Sequence, residues 1–293
     1  MKLEKIPLPG GYCLDFSGPA LVMAIVNCNN DSFYKSSQAY AQKAVDMALE
    51  AEQAGASIID FGAESSRPGS DYIDESEELI RIIPVIKSFR KYSKLPVSID
   101  TRKAAVARAA LDEGADIIND ISALDDDKKM APLCAQCDCP VILMHMKGKP
   151  KIMQIDPVYK DVVSEVSGFL LSAAEGAEKA GIKKSNIILD PGIGFGKSTE
   201  DNLKLMAHLA EIKLKGYPLL IGLSRKSFIG DITGRSVEER LAGTLAAAAA
   251  AVMAGADIIR LHDVKEGLDM VKVLDAIKKA GYQGKENGMV TED

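Results

Sequence analysis

Arg260 and His262 stand two residues apart, as do Ser224 and Lys226. On a strand, residues at that spacing share a face. Each pair would therefore aim two hydrogen-bond donors to one side, and Arg and Lys add fixed positive charge. Such a set suits an oxyanion or a phosphate; the plainer reading is a solvated rim whose charges pair with Asp263 and Glu266. A second set, Asp100, Asn119 and Asp190, closes three short apolar runs. A buried carboxylate must find partners or lose its charge. A flat heterocycle with adjacent N–H groups would satisfy one carboxylate with two parallel bonds, as an arginine fork does. A network with Lys226 or with backbone amides would serve the same acids.

Other segments add candidates. In Glu64-Ser-Ser-Arg67-Pro-Gly69, Arg67 with Ser65 or Ser66 forms an anion clamp, or else a turn with an exposed arginine. Asp190-Pro-Gly-Ile-Gly-Phe-Gly-Lys197 is neither a P-loop, because Pro191 stands where the first glycine belongs, nor a GxGxxG dinucleotide fingerprint. Its glycines would let a ring approach the backbone, with Phe195 as an apolar wall. Asn27 can offer an amide oxygen to Mg²⁺, a cation that prefers oxygen ligands shared with phosphates. If Met144 faces a ring, its neighbour His145 faces the other way and is structural; His208 falls in a helical pattern, on the surface. Cys134, Cys137 and Cys139 precede His145, which admits a zinc reading, but a four-ligand set is incomplete and the cysteines fit a helix–strand join as well. Cys28, at a strand end, reads as a reactive thiol or as a plain small residue. There is no Ser-His-Asp order and no HExxH.

These residues need a frame. One phrase occurs three times: Gly55-Ala-Ser-Ile-Ile-Asp60, Gly114-Ala-Asp-Ile-Ile-Asn119 and Gly255-Ala-Asp-Ile-Ile-Arg260. Each time an amphipathic pattern ends at glycine, a helix C-cap signal, and a short apolar run follows that ends on a polar residue. The runs 21–27, 96–100, 140–145, 186–190 and 218–224 obey the same rule. Helical patterns lie between them, over 38–54, 75–92, 103–113, 157–181, 200–213, 237–254 and 264–280, with a weaker one at 126–134. Eight strands alternating with eight helices predict a parallel sheet, and eight is the number that closes a barrel. An open doubly wound sheet usually feeds its ligand from one switch point, whereas here nearly every strand ends in a polar group. The fold class expected is α/β, a (β/α)8 TIM barrel with a short N-terminal hairpin capping its bottom. Residues 1–283 read as one domain and 284–293 as a polar, disordered tail.

Composition narrows the partners. The chain of 293 residues is 47% apolar and 5% aromatic with no Trp, so aliphatic residues must build a core large enough to need no disulfide. A net charge of −6 opposes a nucleic-acid partner. The N-terminus lacks a signal core and no apolar run reaches membrane length, which suggests a cytoplasmic protein.

Taken in chain order, Asn27 with Asp31-Ser32-Phe33, the ESSRPG turn, Ser98-Ile-Asp-Thr101, Ile118-Asn-Asp-Ile121, Leu143-Met-His-Met146, DPGIGFGK, Ser224-Arg-Lys-Ser-Phe228 and Arg260-Leu-His-Asp-Val264 resemble dihydropteroate synthases over nearly the whole chain. The resemblance implies a dimeric TIM barrel of folate biosynthesis and a sulfonamide target. Its reaction joins 6-hydroxymethyl-7,8-dihydropterin diphosphate to p-aminobenzoate and releases diphosphate. It implies that Asp100, Asn119, Asp190 and Lys226 hold the pterin, with Met144 packed on it. It also implies that Asn27, Arg67, Arg260 and His262 hold the diphosphate and its Mg²⁺ with Ser66 nearby, and that Ser224 and Arg225 border the p-aminobenzoate site. Three departures stand out: Asn29-Asn30 where the family usually has Thr-Pro, Ser66 for its Thr, and Ala63 for a second Gly. A corrinoid-dependent methyltetrahydrofolate methyltransferase and a catalytically silent pterin-binding barrel are the competing readings.

Overall fold

The computed structural model describes residues 3–9, 11–28, 37–64, 72–148, 153, 157–213 and 216–281, with backbone alone for 37–39. The tail 284–293 lies outside the described residues, as do Asn29 and Asn30. Strands β1 (Lys5–Pro7) and β2 (Cys13–Asp15) form an antiparallel hairpin with Ile6 opposite Leu14. Strands β3 (Leu21–Asn27), β4 (Ile58–Gly62), β5 (Val97–Asp100), β6 (Ile117–Asp120), β7 (Val141–Met144), β8 (Ile187–Asp190), β9 (Leu220–Gly222) and β10 (Ile258–Leu261) are all parallel. Their order is β8-β7-β6-β5-β4-β3-β10-β9. A bridge between Leu189 and Leu219 joins the two outer strands and closes the ring. Helices α1 (Ser37–Ala54), α2 (Glu75–Phe89), α3 (Ala104–Asp112), α4 (Met130–Cys137), α5 (Val162–Lys179), α6 (Thr199–Ala207), α7 (Leu209–Lys213), α8 (Ser227–Thr233), α9 (Leu241–Met253) and α10 (Val264–Lys279) surround it.

The period-two alternation of the strands sorts the side chains. Outward residues such as Ile59, Phe61, Ile99, Leu143, Leu189 and Leu261 pack against the helices. Inward residues Met23, Ile58, Ile117, Ile142, Ile188, Leu220 and Ile258 fill the lower barrel, where Ile6, Leu8, Leu14 and Phe16 of the hairpin close it from below. One inward step further toward the strand C-termini the chemistry changes, to Asp60, Asp100, Asn119, Asp190 and Arg260. The apolar tier anchors the fold and the polar tier above it is the floor of a pit.

The repeated phrase does the same work each time. Gly55, Gly114 and Gly255 share φ values of +104°, +101° and +102°, the left-handed turn that ends a helix. In the two copies that read Gly-Ala-Asp, the aspartate ties the neighbouring strand: Asp116 accepts from Val97 N at 2.9 Å and Asp257 from Leu219 N at 2.8 Å. Each also binds a cation, Arg90 and Lys213 respectively.

Four helical expectations need correction. The pattern at 157–181 gives a helix only from Val162, because the Asp161 carboxylate caps it by accepting from Val163 N and Ser164 N. The helix before β7 begins at Met130 rather than 126, because the Asp127 carboxylate accepts from Ala104 N and Lys129 N and so sits outside the helix. The pattern at 200–213 is two helices broken at His208, whose exposed ring pairs with Glu211. An extra helix, α8, follows β9, and α9 starts at Leu241 after a short turn at Val237–Glu239.

Candidate active site

The floor of the pit is a hydrogen-bonded group of strand ends. Arg260 donates from Nε to Asp60 Oδ2 at 2.6 Å and from Nη2 to Asp100 Oδ2 at 2.9 Å. Asn119 Nδ2 donates to the same Asp60 oxygen at 3.1 Å. The residues closing the three copies of the repeat, Asp60, Asn119 and Arg260, thus meet at one oxygen atom. Arg260 is not the open anion clamp expected: two carboxylates hold its fork, and Nη1 is the nitrogen without a hydrogen bond among the described residues. Burial pushes the Asp100 carboxyl above the usual range even though Arg260 pulls it down.

Asp190 rises from β8 into the Gly-rich segment. Its Oδ1 accepts from Gly192 N at 2.7 Å, and burial pushes its carboxyl up to about 6 against that bond and the nearby Lys226. Gly192 has φ +64°, and a Cβ there would overlap the carbonyl oxygen of His145. At this glycine the close approach is therefore to the chain's own backbone, not to a ring. Behind the segment Lys197 is buried. It donates to the carbonyls of Gly192 at 2.9 Å and Phe195 at 3.0 Å, and its Nζ lies 2.9 Å from His145 Nδ1. His145 points outward among the helices, edge-on to Phe169, and burial drives it down to about 3. It is the structural residue expected. Met144 points inward and forms an apolar wall with Ile121, Met153 and Phe195.

Lys226 reaches the pit by a turn rather than by the strand alternation foreseen for it. Strand β9 ends at Gly222, Arg225 takes φ +53°, and Lys226 caps α8. Its Nζ ends 4.0 Å from the centroid of the Phe195 ring, and burial pushes it down to about 8. Arg225 turns away and binds Asp263 through Nη2 at 2.7 Å and Nε at 3.2 Å, so the partner expected for the rim charges is taken by an arginine outside that set. At the rim, His262 Nδ1 lies 2.8 Å from Ser224 Oγ, and Nε2 lies 3.3 Å from Asn27 Nδ2. Ser66 and Arg67 lie outside the described residues. Both sides of their loop are tied down: Glu64 pairs with Arg102 and with Lys103, Lys103 reaches Glu78 at 2.6 Å, and its Nζ lies 4.1 Å from the Tyr72 ring.

The pit therefore carries acids and an amide at its floor, an apolar wall, and donors around its mouth. The sequence profile described as pterin binding enzyme matches residues 23–262. The chain is 43% identical to the dihydropteroate synthase of Haemophilus influenzae, covering 92% of this chain and 97% of that one. Against the Escherichia coli dihydropteroate synthase it is 43% identical, over 92% and 95%. Among solved structures, the Yersinia pestis dihydropteroate synthase with a sulfonamide drug superposes with a TM-score of 0.88 at 39% identity, covering 94% of this chain and 99% of that one. The Xanthomonas albilineans enzyme with 4-aminobenzoic acid gives 0.86 at 42%, covering 93% and 98%. The chain belongs to the dihydropteroate synthase family of pterin-binding enzymes.

Two residues of this family member escaped the sequence reading. Asp60 was visible as the end of a repeat copy, in register with Asn119 and Arg260, and that register was the signal. Lys197 was visible only as the last letter of DPGIGFGK, and nothing in the sequence announced a buried ammonium holding carbonyl groups. Cys134 and Cys137 lie on α4 and Cys139 just before β7, flanking the expected join, with Cys137 Sγ 3.1 Å from Arg108 Nη1. Burial pushes the Cys28 thiol up to about 12, which makes it a packing residue.

Proposed function

We propose that this chain is a dihydropteroate synthase, condensing 6-hydroxymethyl-7,8-dihydropterin diphosphate with p-aminobenzoate to give 7,8-dihydropteroate and diphosphate. The observation that carries the reading is the convergence of Asp100, Asn119, Asp190 and Lys226 on one pit walled by Met144 and Phe195, beneath a rim of His262, Ser224 and Asn27. The free acceptor oxygens of the acids suit the N–H edge of the pterin, and Lys226 suits its carbonyl side. A flat ring would lie against the methionine and phenylalanine wall.

In the reaction, the bond from the pterin methylene carbon to the diphosphate oxygen breaks and its electron pair leaves on oxygen. The amine of p-aminobenzoate bonds to that carbon and its surplus proton passes to solvent. Arg260 Nη1 and Arg67, with Ser66 beside them, would stabilise the negative charge that grows on the leaving group, and His262 would act through Ser224, whose hydroxyl proton it leaves to donate. Donors fixed before the reaction are worth most there. Ser224 would border the amine, and Arg225, whose guanidinium is held by Asp263, would do so only from the rim. Asn27 fits Mg²⁺ as a single ligand: its nitrogen faces His262, which leaves its oxygen for a cation. No cluster of three His, Cys, Asp or Glu side chains that could hold a metal occurs among the described residues, so diphosphate and water would complete the shell. The cation supplies charge neutralisation on the diphosphate.

We also infer a homodimer, supported by family membership and by exposed Ile232 on α8 and exposed Val273 and Ile277 on α10, two helices that both pack against α9. Sedimentation at micromolar concentration tests it. A cytoplasmic location fits five unpaired cysteines, a pattern of reducing compartments, and no helix among the described residues is long and apolar enough to cross a membrane. The deciding assay for the activity is diphosphate release. Release that requires both pterin diphosphate and p-aminobenzoate supports the synthase. Pterin binding without turnover would instead make the protein a silent binder, and methyl transfer to a corrinoid would make it a methyltransferase.

A further inference from the structure

Asp60 is completely enclosed, yet only one of its oxygens is used. Oδ2 accepts from both Asn119 and Arg260, while Oδ1 has no partner among the described residues. A half-satisfied buried carboxylate is costly. Arg260 already has Asp100 as a counter-ion, and the tier directly below is built of Ile and Leu. Packing alone would be better served at this position by an apolar side chain.

A carboxylate can only accept hydrogen bonds. Asn119 must therefore turn its NH₂ group toward Asp60, and its carbonyl oxygen is aimed away from that contact. Arg260 is held along two edges, by Asp60 at Nε and by Asp100 at Nη2, which fixes the plane of the guanidinium; with Asp100 alone the group could turn about a single contact. We infer that Asp60 is a positioning and specificity residue: without touching substrate, it sets Asn119 to present an acceptor to the ring and locks the guanidinium plane of Arg260. The inference rests on the pterin-binding reading of the same pit. The ligand edge it selects is one that donates, such as the amino-bearing edge of a 2-amino-4-oxo ring. A ring bearing oxygen at the same place would face a mismatched acceptor.

The test is calorimetric binding of pterin and of its 2-oxo analogue to the full chain, in wild type, Asp60→Ala, Asp60→Asn, Asn119→Ala and the Asp60→Ala/Asn119→Ala double variant. Wild type should prefer pterin. Asp60→Ala should narrow that preference by about five- to tenfold, the worth of one neutral hydrogen bond, because the freed amide can flip. In the Asn119→Ala background the same change should leave the preference alone. A purely structural role would weaken both ligands equally and would not depend on Asn119. If Asp60→Ala does not fold, Asp60→Asn carries the test, since its amide keeps the shape but no longer forces the orientation of Asn119. A folded variant with wild-type preference overturns the inference. Wild type that binds no pterin overturns the functional reading beneath it, a different and distinguishable result.

Discussion

His262 and Ser224 are linked twice: Nδ1 of the ring lies 2.8 Å from Ser224 Oγ, and the His262 backbone N–H donates to the same oxygen at 3.2 Å. On the far side of the ring Asn27 Nδ2 faces Nε2. An amide nitrogen only donates, so Nε2 accepts and the ring proton sits on Nδ1. Ser224 Oγ then accepts both bonds and keeps its own proton to offer into the mouth. We predict a neutral Nδ1–H tautomer for His262 in ¹⁵N NMR spectra. Ser224→Ala should scramble it and lower kcat/KM for the pterin diphosphate about five- to tenfold with little change in Tm. An Nε2–H signal in wild type would turn the Asn27 oxygen toward the ring and withdraw it from Mg²⁺.

Arg260 carries the sharpest mutational prediction. Arg260→Ala should cost about 2–4 kcal/mol of transition-state stabilisation, the range for one preorganised donor. It should also destabilise the fold by about 3–5 kcal/mol, because it strands Asp60 and Asp100 side by side without a counter-ion. Arg260→Lys separates the two effects. It restores a charge but not a fork able to bridge two carboxylates, so stability should recover more than turnover does. Steady-state kinetics with urea denaturation check both, and unchanged turnover in Arg260→Ala would remove Arg260 from the reaction.

How much of this was legible depended on whether the signal was periodic. The barrel was, because each strand obeys the same alternation and the three repeat copies fix where helices end. The same pattern put Asp100, Asn119 and Asp190 at strand ends, while the inward direction of Met144 stood only as a condition on its neighbour His145. What lay beyond the strand ends was not legible. Lys226 enters the pit through a left-handed Arg225, Arg225 itself swings out to Asp263, and α8 is a seven-residue helix too short to leave a pattern. The Asp60 junction lay between the two cases: its register was written in the sequence, but that three equivalent positions share one oxygen is a fact of barrel closure.

Burial of the acids and of Lys226 predicts a narrow pH optimum. Asp190 must be ionised to accept from a ring, and its carboxyl sits at about 6; Lys226, needed as the ammonium, sits at about 8. The kcat/KM for the pterin diphosphate should rise through the first value and fall through the second. Asp190→Asn should remove the share of the acid limb that belongs to Asp190, leaving that of Asp100, whose carboxyl burial pushes up to about 7, along with most of the affinity. Folding responds with the opposite sign to the acid limb. A carboxyl raised in the native state contributes stability that is complete below its unfolded value and is lost as pH rises through about 6. Asp190→Asn should therefore raise Tm at pH 8, with the gain shrinking toward pH 4. A Tm difference that does not depend on pH would show that Asp190 is not desolvated in the native state.

Gly192 couples the shape of the Gly-rich segment to the acid beside it. Its N–H donates to Asp190 Oδ1, its carbonyl accepts from Lys197, and its φ of +64° is in the left-handed region. An alanine there pays about 1–2 kcal/mol for the backbone conformation, and its Cβ must also displace the His145 carbonyl, which packs against the same strand junction. Gly192→Ala should thus lose about 2–4 kcal/mol of stability and weaken pterin binding by releasing Asp190. Lys197→Met should do the second more than the first, since it removes the ammonium that ties the carbonyls of Gly192 and Phe195 together but introduces no clash. Urea midpoints paired with pterin titrations distinguish the two variants. A Gly192→Ala protein with the wild-type midpoint and affinity would mean that the segment has slack, and that Asp190 is positioned by its strand alone.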